Sequence, residues 1–302
     1  MRILMTGASG LIGTAFSGAA GAAGHQLARL VRGRPRGPDE FAWDPAAGTL
    51  DHSALDGADA VVHLAGEPLA DHRWTAERKR RILESRVQGT GLVARSIAAA
   101  ARPPRVLISA SAIGIYGSRG DETLDERSAA GHDFLARVCQ SWEAETAPAA
   151  AAGVRVVTAR FGVVLTRAGG ALARQLPYFR AGVGGPIGSG RQWMSCVALD
   201  DLTSAMLHIL TTDSLRGPVN VVCPEPVRNA EFTRSLGRIL HRPAFFPVPV
   251  PLLRILFGEL ADVVLAASQR VAPAALTGTG FAFRHPTVHG ALRAALGEPA
   301  AG

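Results

Sequence analysis

The chain has 302 residues, 47% of them hydrophobic and 19% charged, a balance typical of a folded domain with a sizeable core and not of a disordered chain. Its three cysteines are far apart and odd in number, which argues against a disulfide framework and a zinc site. The net charge of +7 comes from arginines spread along the chain. Their one cluster, at residues 78–81, has the glutamate-flanked pattern of a solvated helix face, so no nucleic-acid partner is predicted.

The sequence predicts neither a targeting signal nor a membrane span. Its N-terminus enters a strand and a glycine loop at once, without the apolar region of a secretion signal. The most apolar stretch, residues 245–257, is interrupted by three prolines and an arginine and is too short to cross a bilayer. We therefore expect a cytoplasmic protein with no membrane partner, present as a monomer or a homodimer.

Apolar strands alternate with helical patterns along the first two thirds of the chain. Strands are predicted at residues 2–6, 25–31, 59–64, 105–109, 154–160 and 219–222. Helices are predicted from the glycine loop to residue 23 and over residues 76–101, 134–152 and 199–210. Because the strands are almost continuously apolar, the pattern predicts an α/β fold, a doubly wound parallel sheet of the Rossmann type with helices on both faces.

The remaining part of the chain has a different character. Residues 166–190 are rich in glycine and are predicted to be mostly loop. Prolines become frequent after Pro224, and short helices are predicted at 229–240, 251–257 and 288–296. We therefore assign residues 1–225 to a Rossmann domain with a glycine-rich, substrate-side insertion near 166–194, and residues 226–302 to a small C-terminal substrate lobe.

A glycine fingerprint follows the first strand and opens the first helix, the setting in which this motif binds a dinucleotide. The first glycine of such a loop permits a tight turn, the second lets the backbone approach a pyrophosphate, and the third allows close packing of helix on strand. The N-terminus of the helix then favours the anion. The residues predicted to contact the cofactor here are Gly7, Ser9, Gly10, Leu11, Ile12 and Gly13.

The end of the second strand predicts which dinucleotide is bound. An acidic residue there would accept a hydrogen bond from the ribose 2′-hydroxyl of NAD, but the chain reads Leu30-Val31-Arg32-Gly33-Arg34 and has no acid before Asp39. A guanidinium suits a 2′-phosphate, so NADP is favoured. Arg32 is the best candidate for this contact, with Arg34 and Arg36 as alternatives.

Taken in order, these segments resemble the extended short-chain dehydrogenases/reductases. The resemblance rests on Thr6-Gly7-x-x-Gly10-x-x-Gly13, Asp59-Ala-Val-Val-His63-Leu-Ala65-Gly66 and Ser109-Ala-Ser111-Ala-Ile-Gly-Ile-Tyr116-Gly117. A closer resemblance is to the atypical, epimerase-like branch with a C-terminal domain of unknown function. It rests on Glu84-Ser85-Arg86, Arg160-Phe-Gly-Val-Val-Leu165, Gly185-Pro-Ile-Gly-Ser-Gly-Arg-Gln192 and Phe281-Ala-Phe283. The resemblance implies bound NADP, with further cofactor contacts from Leu64, Ala65, Gly66 and Ser109.

The catalytic dyad of that superfamily is absent from this chain. The dyad is a tyrosine followed four residues later by a lysine, which lowers the tyrosine pKa so that the phenol exchanges protons near neutral pH. The residues four positions after Tyr116 and Tyr178 are Gly120 and Gly182. The atypical branch generally lacks the dyad too, so the resemblance stands although the usual mechanism does not carry over.

Three residues remain as catalytic candidates. Ser111 falls where the superfamily has its catalytic serine if one residue is inserted before Tyr116, so Ser111 would orient the reacting oxygen and Tyr116 would donate the proton. Arg86 stands where extended members carry an asparagine and would supply a fixed positive charge near the nicotinamide. The alternatives are strand-end packing for Ser111 and Tyr116, and a surface ion pair with Glu84 or Glu77 for Arg86.

The sequence thus predicts an NADP(H)-dependent oxidoreductase or epimerase that acts on a small polar substrate, sugar-like by family analogy. Arg191 and Gln192, in the glycine-rich segment, are predicted to contact that substrate, and no metal site is predicted. The missing dyad supports an alternative, a non-catalytic NADP(H)-binding redox sensor or scaffold.

Overall fold

The computed structural model describes residues 1–69 and 73–298. Its strands are β1 (Arg2–Thr6), β2 (Gln26–Val31), β3 (Glu40–Asp44), β4 (Thr49–Leu50), β5 (Ala60–His63), β6 (Val106–Ala112), β7 (Thr123–Leu124), β8 (Arg155–Phe161), β9 (Val163–Leu165), β10 (Trp193–Met194), β11 (Cys196–Ala198), β12 (Gly217–Val221), β13 (Val227–Arg228) and β14 (Arg270–Val271). Its helices are α1 (Leu11–Ala22), α2 (Ala76–Ala99), α3 (Phe134–Ala144), α4 (Ala147–Ala151), α5 (Gly170–Arg180), α6 (Leu199–Thr211), α7 (Asn229–Ile239), α8 (Val250–Phe257), α9 (Ala274–Gly278) and α10 (Val288–Leu296). Single helical turns cover His52–Leu55, Ile113–Tyr116 and Ala261–Leu265.

The main sheet of the described residues has eight strands in the order β12-β8-β6-β5-β1-β2-β3-β4, and neighbours are parallel except at the terminal strand β4. From β1 the chain first builds outward through β2 and β3, and then returns to build the other half through β5, β6 and β8. The order therefore reverses at β1, and a crevice opens at the carboxyl end of that strand. The predicted α/β, doubly wound fold is confirmed.

Successive residues of β1 contribute to cores on opposite faces of the sheet, as the two-residue period of a strand requires. Ile3 and Met5 belong to a core with buried side chains of α1 and α6. Leu4, between them, belongs to a second core with buried side chains of α2. The helices therefore hold β1 from both sides, and its carboxyl end is fixed in position.

A third apolar core is formed by side chains from two separate stretches of the chain. One stretch supplies Leu165, Leu172, Leu176, Phe179, Cys196 and Ala198, and the other supplies Cys223, Phe232, Leu236, Ile239, Val288, Ala291 and Leu292. The glycine-rich segment and the C-terminal residues are thus packed together. Within the described ranges, no helix is both long enough and apolar enough to span a membrane.

The predicted elements differ from the structure in several places. The prediction of one helix over 134–152 is wrong, because Pro148 lacks an N–H and its ring would clash with the carbonyl of Ala144, where α3 ends. The segment predicted to be mostly loop contains α5, which buries Leu172 and Leu176 on one face. The sequence does not predict β3, which extends the sheet beyond β2, nor the short elements β4, β7, β9, β10, β11, β13, β14 and α9.

Candidate functional site

The glycine loop between β1 and α1 has no room for side chains at its first and last glycines. Gly7 has a φ of +66°, and a Cβ there would lie 2.8 Å from the carbonyl carbon of Leu64. A Cβ on Gly13 would lie 2.1 Å from the carbonyl oxygen of Gly7. No side chain caps α1 and its first turn has no acidic residue, so the positive end of the helix is left for an anion.

A cavity of about 920 Å³ opens beside this loop, at the carboxyl ends of β1, β2 and β5. Its wall includes residues predicted to contact the cofactor, namely Gly7, Ser9, Gly10, Arg32, Leu64, Ala65 and Gly66. Side chains of α2 form another part of the wall, with Arg81, Ser85 and Gln88 at the spacing of one helix face. A cavity of this volume is large enough to hold a nucleotide.

Three arginines line the cavity, although the sequence analysis proposed only Arg32 among them. Arg29 lies on β2 itself, and Arg81 reaches the wall from α2. Arg34 and Arg36, the alternatives to Arg32, are not among the lining residues. Arg81 is oriented by Glu67, whose Oε1 lies 2.9 Å from its Nη2. The wall of the cavity therefore includes three guanidinium groups suited to an anionic ligand, together with the carboxylates of Glu40, Asp44, Glu67 and Glu84.

The interpretation of residues 78–81 as a solvated helix face is wrong for part of the cluster. Arg78 is buried and donates hydrogen bonds to the Glu67 side chain and to the Pro68 carbonyl. Arg81 is exposed but faces the cavity. A helical charge pattern is the same for a solvated face and for a face turned toward a polar cavity, so the sequence alone did not distinguish them.

A buried pair joins the ends of β1 and β5 beneath the cavity. The Thr6 hydroxyl oxygen accepts hydrogen bonds from the N–H groups of Leu64 and Ala65, at 3.1 Å each, so its own proton points to Nδ1 of His63, 2.8 Å away. Burial lowers the pKa of His63 to about 4, which keeps the ring neutral at pH 7. The pair fixes the backbone of residues 64–66, which forms part of the cavity wall.

Arg86 is buried beside the loop that follows β5, and it is not in a surface ion pair. Its Nη1 donates to the carbonyl oxygens of Ile82 and Glu67, at 3.0 and 3.1 Å, and its guanidinium lies 4.9 Å from the centre of the Trp142 ring. A Cβ on Gly66 would lie 3.4 Å from its Cζ. Burial lowers the pKa of Arg86 to about 10, so it still carries its charge at pH 7.

Ser111 is buried at the end of β6, in a polar cluster that the sequence analysis did not predict. Its hydroxyl donates to Oε1 of Glu143 at 2.6 Å, and Arg160 contacts both oxygens of that carboxylate. Burial opposes the charge on Arg160, but its hydrogen bonds with Glu143 and the charge of that group raise the Arg160 pKa. Ser111 therefore has its proton directed to Glu143, and it is buried and does not lie on the wall of the cavity.

Tyr116 is fully buried, which does not support the prediction that it donates a proton to a substrate. Its hydroxyl donates to Oδ1 of Asn220 at 2.7 Å and accepts from Nη1 of Arg160 at 2.9 Å. Burial raises the pKa of Tyr116, and the positive charge of Arg160 offsets part of that rise. In this arrangement the phenol links the turn after β6 to β8 and β12.

The other predicted site residues lie outside the cavity wall. Ser109 is buried in β6, and Ile12 packs on the main core. Leu11 contacts the loop at Gly169 and Gly170. Gln192 donates to the Ile187 carbonyl at 3.2 Å, and Arg191 is exposed next to Trp193.

A parallel sheet with a glycine turn at its reversal point, and a nucleotide-sized cavity beside that turn, defines a Rossmann-type dinucleotide-binding protein. The chain belongs to the NAD dependent epimerase/dehydratase family, whose model matches residues 3–222. A second model, a domain of unknown function (DUF1731), matches residues 248–295. The predicted resemblance to the epimerase-like branch with such a C-terminal domain is confirmed.

Individual relatives match over almost the whole chain. The epimerase family protein MT2273 of Mycobacterium tuberculosis is 43% identical over 297 residues, covering 98% of each chain. The crystal structure of human epimerase family protein SDR39U1 (isoform 2) with NADPH has a TM-score of 0.87 at 33% identity, covering 97% of this chain and 98% of that one. A nucleoside-diphosphate sugar epimerase from Corynebacterium glutamicum is 38% identical with a TM-score of 0.80, covering 98% of this chain and 58% of that one.

Proposed function

We propose that this protein is an NADP(H)-dependent oxidoreductase or epimerase that acts on a small polar, sugar-like substrate. The observation that carries the proposal is the cavity that joins the glycine loop to Arg32 and two further arginines. The solved human relative was crystallised with NADPH, which supports the same cofactor here. Family membership supports the class of reaction, and the sugar-like substrate rests on family analogy.

The arginines would select NADP(H) over NAD(H) through the 2′-phosphate. Arg32 follows β2 directly, at the position where an acidic residue would favour NAD. Arg29 and Arg81 would add positive charge from β2 and α2, and Glu67 would hold Arg81 in place. The open N-terminus of α1 would receive the pyrophosphate between Gly7 and Gly13.

In this proposal the cofactor supplies the hydride, and the protein orients the reacting groups. Ser111 stays a prediction for orienting the reacting oxygen; it is 2% exposed, and Glu143 takes its proton. Arg86 would keep a fixed positive charge beneath Gly66, next to the cofactor. Arg191 and Gln192 stay predictions for substrate contact, as do a cytoplasmic location and a monomeric or homodimeric state.

The test is a titration of the purified protein with NADPH and with NADH, followed by nicotinamide fluorescence. We expect tighter binding of NADPH, and a loss of about tenfold or more in NADPH affinity for Arg32→Ala, because a charge-assisted contact contributes roughly 1.5–3 kcal/mol. NADH affinity should change little in that variant. Arg34→Ala, a neighbouring arginine outside the cavity wall, is the matched control. Failure of both dinucleotides to bind would refute the proposal.

The burial of Tyr116 favours a second candidate, a non-catalytic NADP(H)-binding sensor or scaffold. The Tyr116 phenol and the Ser111 hydroxyl both donate hydrogen bonds to partners inside the protein. The two candidates differ in turnover, because both bind NADPH. Oxidation of NADPH with any member of a panel of carbonyl and sugar substrates, or interconversion of sugar epimers without net consumption of the cofactor, would establish the enzyme. NADPH binding without turnover of such a panel would favour the sensor.

A further inference from the structure

Exposed apolar side chains are concentrated in one stretch of the C-terminal part of the chain. In the described ranges, seven of the ten exposed large apolar residues lie between positions 245 and 264, namely Phe245, Phe246, Leu252, Ile255, Leu256, Phe257 and Val264. Ile255 is 70% exposed and Phe245 is 67% exposed. A concentration of exposed apolar side chains of this kind marks an interaction surface. We call residues 245–257 the apolar segment.

The apolar segment is attached firmly to the body of the protein, so its exposure does not come from a loose loop. Val248 forms a β-bridge with Ile187, and its N–H donates to the Pro186 carbonyl at 2.8 Å. The backbone of Phe246 lies directly against Gly185. Three prolines, Pro247, Pro249 and Pro251, fix φ in the first part of the segment. The second part forms α8, which buries Leu253. Leu252, Ile255 and Leu256 then share one face of α8 at helical spacing.

Positive charge exceeds negative charge in the sequence around the apolar segment. Residues 231–262 include four arginines against three acidic residues, Glu231, Glu259 and Asp262. Arg234 and Arg242 are exposed and donate hydrogen bonds to the backbone carbonyls of Ala230 and Arg180 rather than to carboxylates. Arg254, by contrast, pairs with Asp262 at 2.8 Å. The net charge beside the exposed aromatic and aliphatic side chains is therefore positive.

These charges decide between the partners that could cover the segment. In a symmetric dimer, the same patch of two copies would meet, and the net positive charge of one patch would lie near that of the other. Like charges brought together in this way oppose association. An anionic surface complements the arginines and at the same time takes up the apolar side chains.

We propose that the apolar segment docks the protein on the surface of a bilayer that contains anionic phospholipid. Short helices with large apolar residues, flanked by arginine, lie in the plane of the interface with their apolar face in the headgroup boundary. Such a helix needs neither the length nor the uniform hydropathy of a spanning helix, so the absence of a span in the described residues does not bear on it. The arginines then contact the phosphates.

The test is sedimentation of the full-length protein with two kinds of vesicle. One kind consists of phosphatidylcholine alone, and the other also contains phosphatidylglycerol. We expect binding to the anionic vesicles and little binding to the neutral ones, with the bound fraction falling as salt is added. Equal behaviour with both kinds of vesicle, or binding to neither, would overturn the proposal.

Two pairs of variants assign the contact to the segment. Ile255→Asp is paired with Ala101→Asp, and Arg242→Glu with Arg102→Glu; the control residues are exposed at the turn before β6, at the amino end of the sheet. We expect the segment variants to lose about tenfold or more in binding, because Ile255→Asp replaces an apolar contact with a negative charge and Arg242→Glu reverses a charge, and the controls to bind as the parent does. Unchanged circular dichroism and NADPH binding check the fold. A parent dimer that Ile255→Asp converts to monomer would instead assign the segment to a second copy.

Discussion

Arg160 and Glu143 form a bidentate ion pair at the carboxyl ends of the central strands. The Nε and Nη2 atoms of Arg160 lie 2.8 Å from Oε1 and Oε2 of Glu143, respectively. The same carboxylate accepts the Ser111 proton, and the same guanidinium contacts the Tyr116 hydroxyl. One ion pair therefore connects Ser111, at the end of β6, with Tyr116, in the helical turn that follows it.

Glu143→Gln should be strongly destabilising. The side chains of Arg160 and Glu143 are 9% and 15% exposed, so the substitution leaves a largely buried charge without its partner. Losses of about 3 kcal/mol are typical when one member of such a pair is removed. Urea denaturation measures the change. The control is Glu122→Gln, which removes an exposed pair with Arg119 and should cost under about 1 kcal/mol. Equal losses in the two variants would contradict the assignment.

Tyr116→Phe should lower stability and leave NADPH affinity unchanged. The variant loses a hydrogen bond to Asn220 and one from Arg160, and it leaves those buried groups unsatisfied, at a cost of about 1–3 kcal/mol. Urea denaturation and NADPH titration are the two measurements. Tyr178→Phe, at an exposed phenol, should change neither. If a substrate is found and the folded Tyr116→Phe protein no longer turns it over, the phenol has the catalytic role after all.

Gly13→Ala should abolish tight cofactor binding. A Cβ at this position would lie 2.1 Å from the Gly7 carbonyl oxygen, so α1 must move away from the loop that it completes. We expect a loss of roughly 1–3 kcal/mol in stability from overpacking, and a weaker NADPH complex. Gly18→Ala is the control in the same helix, because a Cβ there meets open space and should stabilise the helix by up to about 1 kcal/mol. A Gly13→Ala protein with parental NADPH affinity would rule out the close approach.

Stability should fall as the pH decreases from about 6.5 to about 4, because of His63. Its folded pKa of about 4 lies below the unfolded value of 6.5, so the unfolded state binds the proton first. The contribution is complete above pH 6.5, is lost through this window and amounts to roughly 3 kcal/mol. Urea denaturation at several pH values measures it. His63→Gln should remove most of this decrease in stability between pH 6.5 and 4. His208→Gln, at a less buried histidine, should retain most of the decrease. An unchanged profile in His63→Gln would assign the effect to other groups.

Much of the fold could be read from the sequence because it depends on neighbouring residues. The turn at Gly7 and the start of α2 after the Thr75 cap are local features. The alternation of Ile3, Leu4 and Met5 is local as well, and it places β1 between two helical layers. Arg32 was predicted for the same reason, since it directly follows a strand whose end opens on the cavity.

Tertiary packing decided which polar side chains reach that cavity and which are used inside the protein. Tyr116 meets Asn220 across 104 residues and Arg160 across 44, separations that no local pattern encodes. Arg81 looked like part of a solvated helix face, and it lines the cavity because α2 packs beside β5. The sequence by itself therefore determined the Rossmann class, the glycine turn and the basic end of β2. The partners of each buried polar group were decided by the fold, because they depend on how distant elements pack together.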